Sequence, residues 1–137
     1  MRAVRALARR GVGVEHLHVS THKPFDDPQI LETLASVGAG VVTAENHTVI
    51  GGLGSAIAER IAEAGLGRRL IRVGLQDTYA HGASREHLMH EYGLDARGIV
   101  GAVERLLGES LGIGSSELVE ELSPVEPAAV APGPTDP

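Results

Sequence analysis

Gly40-Val41-Val42-Thr43-Ala44 runs without a break into Glu45-Asn46-His47-Thr48-Val49-Ile50-Gly51-Gly52-Leu53-Gly54-Ser55-Ala56-Ile57-Ala58-Glu59. The first five residues have the pattern of a buried strand. After the glycines, Ile57 and Ile61, with Ala58 and Ala62, recur at helical spacing. The stretch is therefore a strand, a loop and a helix in direct succession. Its loop holds an acid, an amide, an imidazole and three glycines, Gly51, Gly52 and Gly54. Glycine lets backbone N–H groups come close to another surface, and a helix N-terminus favours negative charge. Open α/β sheets gather ligands beyond the carboxyl ends of their strands. Glu45, Asn46, His47, Gly51, Gly52 and Gly54 are therefore the candidate site.

The same alternation extends outward. Met1–Arg10 predicts a short amphipathic helix with Val4, Leu7 and Ala8 on one face, stopped by Gly11 and Gly13. Val14-Glu15-His16-Leu17-His18-Val19 alternates apolar and polar residues and predicts a strand. Asp26 and Asp27 are candidate N-caps before Pro28. A helix over about Pro28–Val37 follows, with Ile30, Leu31 and Leu34 inward. The loop helix runs to Gly65, and Leu70-Ile71-Arg72-Val73-Gly74-Leu75 predicts a third strand. Ser84 is placed to cap a helix ending near Tyr92-Gly93, although His87 leaves its capping box incomplete. A last helix runs from Leu94-Asp95 to about Leu107, with Ile99, Val103, Leu106 and Leu107 apolar. Strand and helix in alternation predict a three-layer, Rossmann-like α/β domain with a mostly parallel sheet over residues 1–108. Three strands are few for such a sheet, and a chain that starts on a helix has the pattern of a first strand missing. Residues 109–137 form a Pro/Ala-rich tail that is expected to be disordered.

Composition narrows the function. The chain has 137 residues, enough for one domain. Aromatics make up only 2%, so Ala, Val, Ile and Leu fill the core, as in parallel sheets covered by helices. A formal charge of -6 with interspersed signs, and so few stacking platforms, argue against nucleic-acid binding. No apolar run is long enough to span a bilayer. The absence of cysteine removes disulfide and thiolate chemistry and fits a cytoplasmic protein.

Each candidate chemistry meets an obstacle. Gly52-Leu53-Gly54-Ser55-Ala56-Ile57 has isoleucine where a dinucleotide fingerprint places its third glycine or alanine. About 20 residues on, Ile71 and Arg72 offer no acid for a ribose. A P-loop sequence is absent. His16, His18 and His22, and the pair His87 and His90, form no recognisable metal-binding spacing. Glu45 has no accompanying nucleophile or second carboxylate for general base work. Ser55 lacks a nucleophile elbow and suits a first helical turn. Asp77, after the third strand, is placed at the same sheet edge to brace the Glu45–Gly54 loop.

Taken in order, four segments resemble the C-terminal domain of the transketolase family. They are Thr21-His22-Lys23-Pro24-Phe25-Asp26; Val42 to His47 with Ile50 to Glu59; Val73-Gly74-Leu75-Gln76-Asp77-Thr78-Tyr79; and Glu91-Tyr92-Gly93-Leu94-Asp95. The likeness is nearest to the C-terminal subunit of two-part transketolases, and 1-deoxyxylulose-5-phosphate synthase carries a similar domain. The resemblance implies a thiamine diphosphate enzyme that moves a two-carbon ketol unit between sugar phosphates, with a divalent metal holding the diphosphate. It implies that a Gly-Asp-Gly motif on an N-terminal domain, and a glutamate on a middle domain, hold and activate that cofactor. This chain carries neither domain. It is accordingly expected to be non-catalytic, to bind no cofactor or metal alone, and to support those domains or a subunit bearing them within an oligomer. The family's domain opens with a strand before the helix that begins here at Met1, so the sheet is expected to have an unprotected position. A misplaced start, a decayed gene product and one part of a split enzyme all fit that departure. The alternatives are a free-standing anion- or nucleotide-binding regulatory module and a non-functional fragment.

Overall fold

Helix α1 covers Arg2–Arg9, and its buried residues are Ala3, Ala6 and Leu7. The computed structural model to which this helix belongs describes residues 1–118 of the chain. The buried stripe sits about one position from the expected one: Ala8 is exposed and Val4 only half-buried. The reason is α5 (Ala96–Leu107), against which α1 packs through Val100. Helix α5 begins at an N-cap, Asp95, whose Oδ1 accepts the Gly98 N–H at 2.9 Å. It ends at Gly108, where a φ of +79° favours glycine.

Helix α2 (Pro28–Ser36) starts where Asp27 Oδ1 accepts the Gln29 N–H at 2.9 Å. Asp27, rather than Asp26, is thus the cap, and Pro28 occupies the first helical position, where its missing N–H costs nothing. Helix α3 (Leu53–Glu63) packs on α2 through Ile30, Leu34, Ile57 and Ile61. Leu31, expected to face inward, is exposed. Helix α4 (Arg85–Glu91) is capped by Ser84, whose Oγ accepts the His87 N–H at 3.3 Å. Side-chain caps of this kind each contribute about 1 kcal/mol.

Strands β1 (Val41–Thr48) and β2 (Leu70–Leu75) pair in parallel, with Val41 opposite Leu70 and Ala44 opposite Val73. Val41 and Leu70 join the α2–α3 cluster. Alternation then points Val42, Ala44, Ile71 and Val73 toward the opposite face, where α5 contacts both strands. The result is an α/β/α layering around a small parallel sheet. Two strands are too few to display a Rossmann-like strand order.

The strand expected at Val14–Val19 is not formed. Leu17 and Val19 do pack on the α2–α3 cluster, so the predicted inward face is kept. The hydrogen-bond ladder is what is lacking. The cause is distance from β1: a cavity of about 870 Å³ separates residues 15–19 from the outer side of β1.

The tail expected from residue 109 is described as far as Leu118, and this part packs on α1. Leu118 is buried with Ala3, Ala6 and Leu7, and a 3-10 turn covers Ser115–Leu118. Arg10 donates to the Leu111 and Gly112 carbonyls at 3.1 and 3.2 Å and to Glu117 Oε1 at 2.8 Å. The Gly114 N–H, then Arg10 and Arg9, hold the exposed Glu117 carboxyl below the ordinary carboxylate range. Residues 119–137, the remainder of that expectation, lie outside the described residues.

Candidate functional site at the carboxyl edge of the sheet

The site is made by a disruption of the ladder. Between the pairs Ala44–Val73 and Thr48–Leu75, β1 carries Glu45, Asn46 and His47 while β2 carries only Gly74. The extra residues bulge from the sheet edge, as bulges beside functional loops often do. Gly74 makes room: a Cβ there would lie 2.8 Å from Val49 Cγ1 and 2.9 Å from the His47 carbonyl.

The bulge aims Glu45 at the start of α3. Its Oε2 accepts the Leu53 N–H at 2.8 Å and its Oε1 accepts the Gly54 N–H at 3.1 Å. These are the first two amides of the helix, which have no partner inside it. The carboxylate also meets the positive end of the helix dipole. An anion bound at this N-terminus would need the same two N–H groups, and Glu45 already holds them. The loop that looks like a phosphate cradle is filled by its own side chain.

The glycines follow from this contact. A Cβ at Gly52 would overlap the Glu45 carboxylate. One at Gly54 would lie 2.6 Å from Arg72 Cδ and 2.9 Å from Thr43 Oγ1. Arg72 crosses above, and its guanidinium donates to the Val49 carbonyl at 3.1 Å. Ser55 Oγ donates to the same carbonyl at 3.1 Å and accepts the Gly51 N–H at 3.0 Å. Ser55 is a clip that closes the loop, in keeping with a position in the first helical turn. Thr43 Oγ1 is buried and has no hydrogen-bond partner among the described residues.

The other expected residues point away from that bond network. Asn46 and His47 are exposed, and among the described residues the hydrogen bond at either side chain is the one joining His47 Nδ1 to the Thr48 carbonyl at 3.1 Å. Gly51 is exposed with a φ of +73°. Asp77 is exposed just beyond β2, with a φ of +33°, and among the described residues no hydrogen bond ties it to the Glu45–Gly54 loop. The loop is braced by Arg72 and Ser55 instead. Arg72 carried a signal: it sits on the third predicted strand with a side chain long enough to cross to the strand before it.

One set of metal-type ligands converges among the described residues. His87 Nε2 and His81 Nε2 lie 3.2 and 3.5 Å from Glu91 Oε2, and all three residues are exposed. His90 pairs elsewhere, with Asp95 at 3.0 Å. Burial raises the Asp95 carboxyl, but the Gly98 N–H and then His90 outweigh it and hold it below its usual value. Among the described residues no helix is long and apolar enough to cross a membrane.

Residues 1–99 match the family model of the transketolase C-terminal domain. The chain belongs to that family. As a transketolase C-terminal domain it is 43% identical over 104 residues to the 6-deoxy-6-sulfo-D-fructose transketolase subunit SqwH of a Clostridium species, which takes in 76% of this chain and 32% of that protein. It is 39% identical over 94 residues to the 1-deoxy-D-xylulose-5-phosphate synthase of Stenotrophomonas maltophilia, covering 69% of this chain and 15% of the synthase. A solved structure, a split gene transketolase described as an inactive beta4 tetramer, superposes with a TM-score of 0.68 at 35% identity over 78% of this chain and 35% of that one. The transketolase C-terminal domain therefore spans a third or less of the curated relatives it matches here.

Proposed function

We propose that the chain is the C-terminal, non-catalytic portion of a thiamine diphosphate-dependent, transketolase-type enzyme that transfers two-carbon ketol units between sugar phosphates. Family membership over residues 1–99 supports the assignment to that portion. One observation carries the non-catalytic part. The Glu45 carboxylate fills the N-terminus of α3, the place in this domain where a diphosphate would otherwise find two amides. The described residues do not fit thiamine diphosphate: no Gly-Asp-Gly occurs in the sequence, and the glycine loop is closed on its own acid. The same contact opposes a free-standing anion-binding module.

In this reading the loop is structural at its base and presents Asn46, His47 and Gly51 outward, toward the domains or subunit that hold the cofactor. Oligomeric assembly follows the tetrameric description of the split gene relative. The cofactor and metal belong to the complete enzyme. The test is complementation. The chain alone is expected to give no ketol transfer from a ketose phosphate to an aldose phosphate. Added to a separately produced thiamine-binding portion of a transketolase, it is expected to co-purify with that portion. Turnover by the chain alone, or failure to associate with any such portion, contradicts the proposal.

A further inference from the structure

Helix α4 has no buried residue. It is reached from β2 through residues 76–83, which make no backbone–backbone hydrogen bond among the described residues. Three side chains bridge that connection and the helix. His87 and Glu91 stand four residues apart on α4 and so share a face. His81 meets them from the connection. Glu91 Oε2 lies 3.2 Å from His87 Nε2 and 3.5 Å from His81 Nε2. The three ligand atoms all lie within 4.8 Å of one another. The two imidazole rings meet edge-on, at 73°, rather than stacked. His90, three residues on from His87, is engaged with Asp95 instead.

These spacings have a chemical meaning. Around a four-coordinate zinc with bonds of about 2.0–2.1 Å, neighbouring ligand atoms are about 3.3 Å apart. The 3.2 and 3.5 Å separations fall on either side of that value. Two imidazoles and one carboxylate suit zinc, cobalt, nickel or copper. Magnesium and calcium prefer sets made of oxygen alone. Three protein ligands leave the remaining position to water. A formal charge of -6 favours the approach of a cation.

We propose that His81, His87 and Glu91 form a binding site for a zinc-class transition-metal ion, which pins the connection between β2 and α4 to the helix. Each imidazole binds as the neutral ring through Nε2, with its proton on Nδ1, and Glu91 binds as the carboxylate through Oε2. The site departs from the expectation that the chain alone holds no metal. That expectation concerned the ion on the cofactor diphosphate, which calls for oxygen ligands. The proposal does not depend on which enzyme the chain serves.

The experiment is titration of the untagged full chain with zinc chloride in competition with a chromophoric zinc indicator. One zinc per chain is expected. His81→Ala, His87→Ala and Glu91→Gln are each expected to weaken it at least about tenfold. The double variant His16→Ala with His18→Ala is expected to bind as the wild type does. Zinc should raise the melting temperature of the wild type but not that of His81→Ala, and magnesium should raise neither. A second reading needs no variant. In histidine-selective NMR, zinc is expected to move the imidazole signals of His81 and His87 and to leave those of His16, His18, His22 and His47 in place. No binding at tens of micromolar free zinc overturns the proposal. So does binding that survives His81→Ala and is lost in His90→Ala, which would put the metal on the helix pair. Movement of the other histidine signals alone, or a zinc shared between two chains in sedimentation, overturns it too.

Discussion

Glu45 reaches Gly54, nine residues further along the chain, and accepts its backbone N–H at 3.1 Å while holding the neighbouring Leu53 N–H at 2.8 Å. One carboxylate thereby ties the carboxyl edge of β1 to the start of α3. It stands where an external anion would stand.

Replacing that carboxylate removes a charge-assisted cap. Glu45→Ala is expected to lower unfolding stability by about 2 kcal/mol. Glu45→Gln retains one acceptor and is expected to lose less. Urea denaturation of the three proteins checks the order; equal midpoints for wild type and Glu45→Ala would count against the cap.

Gly52 and Glu45 are expected to be coupled. Gly52→Ala pushes a methyl into the carboxylate and should cost about 1–3 kcal/mol in the wild-type background. In the Glu45→Ala background the main obstacle is gone, leaving the Thr48 carbonyl at 2.9 Å from the new Cβ. A double-mutant cycle is expected to show the second cost well below the first. Strict additivity would mean that the two residues do not meet.

Acid should loosen the ends of α5 and α1. Asp95 and Glu117 both have folded-state carboxyls held below their unfolded values. Their contribution is thus complete above the unfolded carboxylate range and is lost as pH falls through the lower folded values. Asp95→Asn with Glu117→Gln keeps an N-cap at α5 but removes both charges. Stability measured from pH 6 down to pH 3 is expected to fall less steeply in this variant. An unchanged slope contradicts the assignment.

The segment after α5 is expected to matter to α1. Leu118→Ala removes a buried side chain from the cluster of Ala3, Ala6 and Leu7 and should cost about 2 kcal/mol. Thermal unfolding of the full chain measures it. A loss below a few tenths would show that this contact is not held in solution.

Local pattern made β1, β2 and five helices readable, because each carries its period and stop signals within a dozen residues. Val14–Val19 shows the limit. Its alternation correctly placed Leu17 and Val19 inward, but a strand also needs an edge to pair with, and that edge lies across a cavity. Glu45 shows another. Its position at a strand end was legible; its use as a cap for a helix eight and nine residues away was not, because caps are sought next to the helix they serve. The clamp of Arg10 on Leu111, Gly112 and Glu117 joins residues about a hundred apart and leaves no local trace.

The central claim is that this domain assists thiamine chemistry without holding the cofactor. Isothermal calorimetry tests it most directly, with the purified chain first shown to melt cooperatively and then titrated with thiamine diphosphate and magnesium. The account predicts no saturable heat. A saturable binding curve, lost when Gly52 is replaced by valine, would place the cofactor on this loop and contradict it.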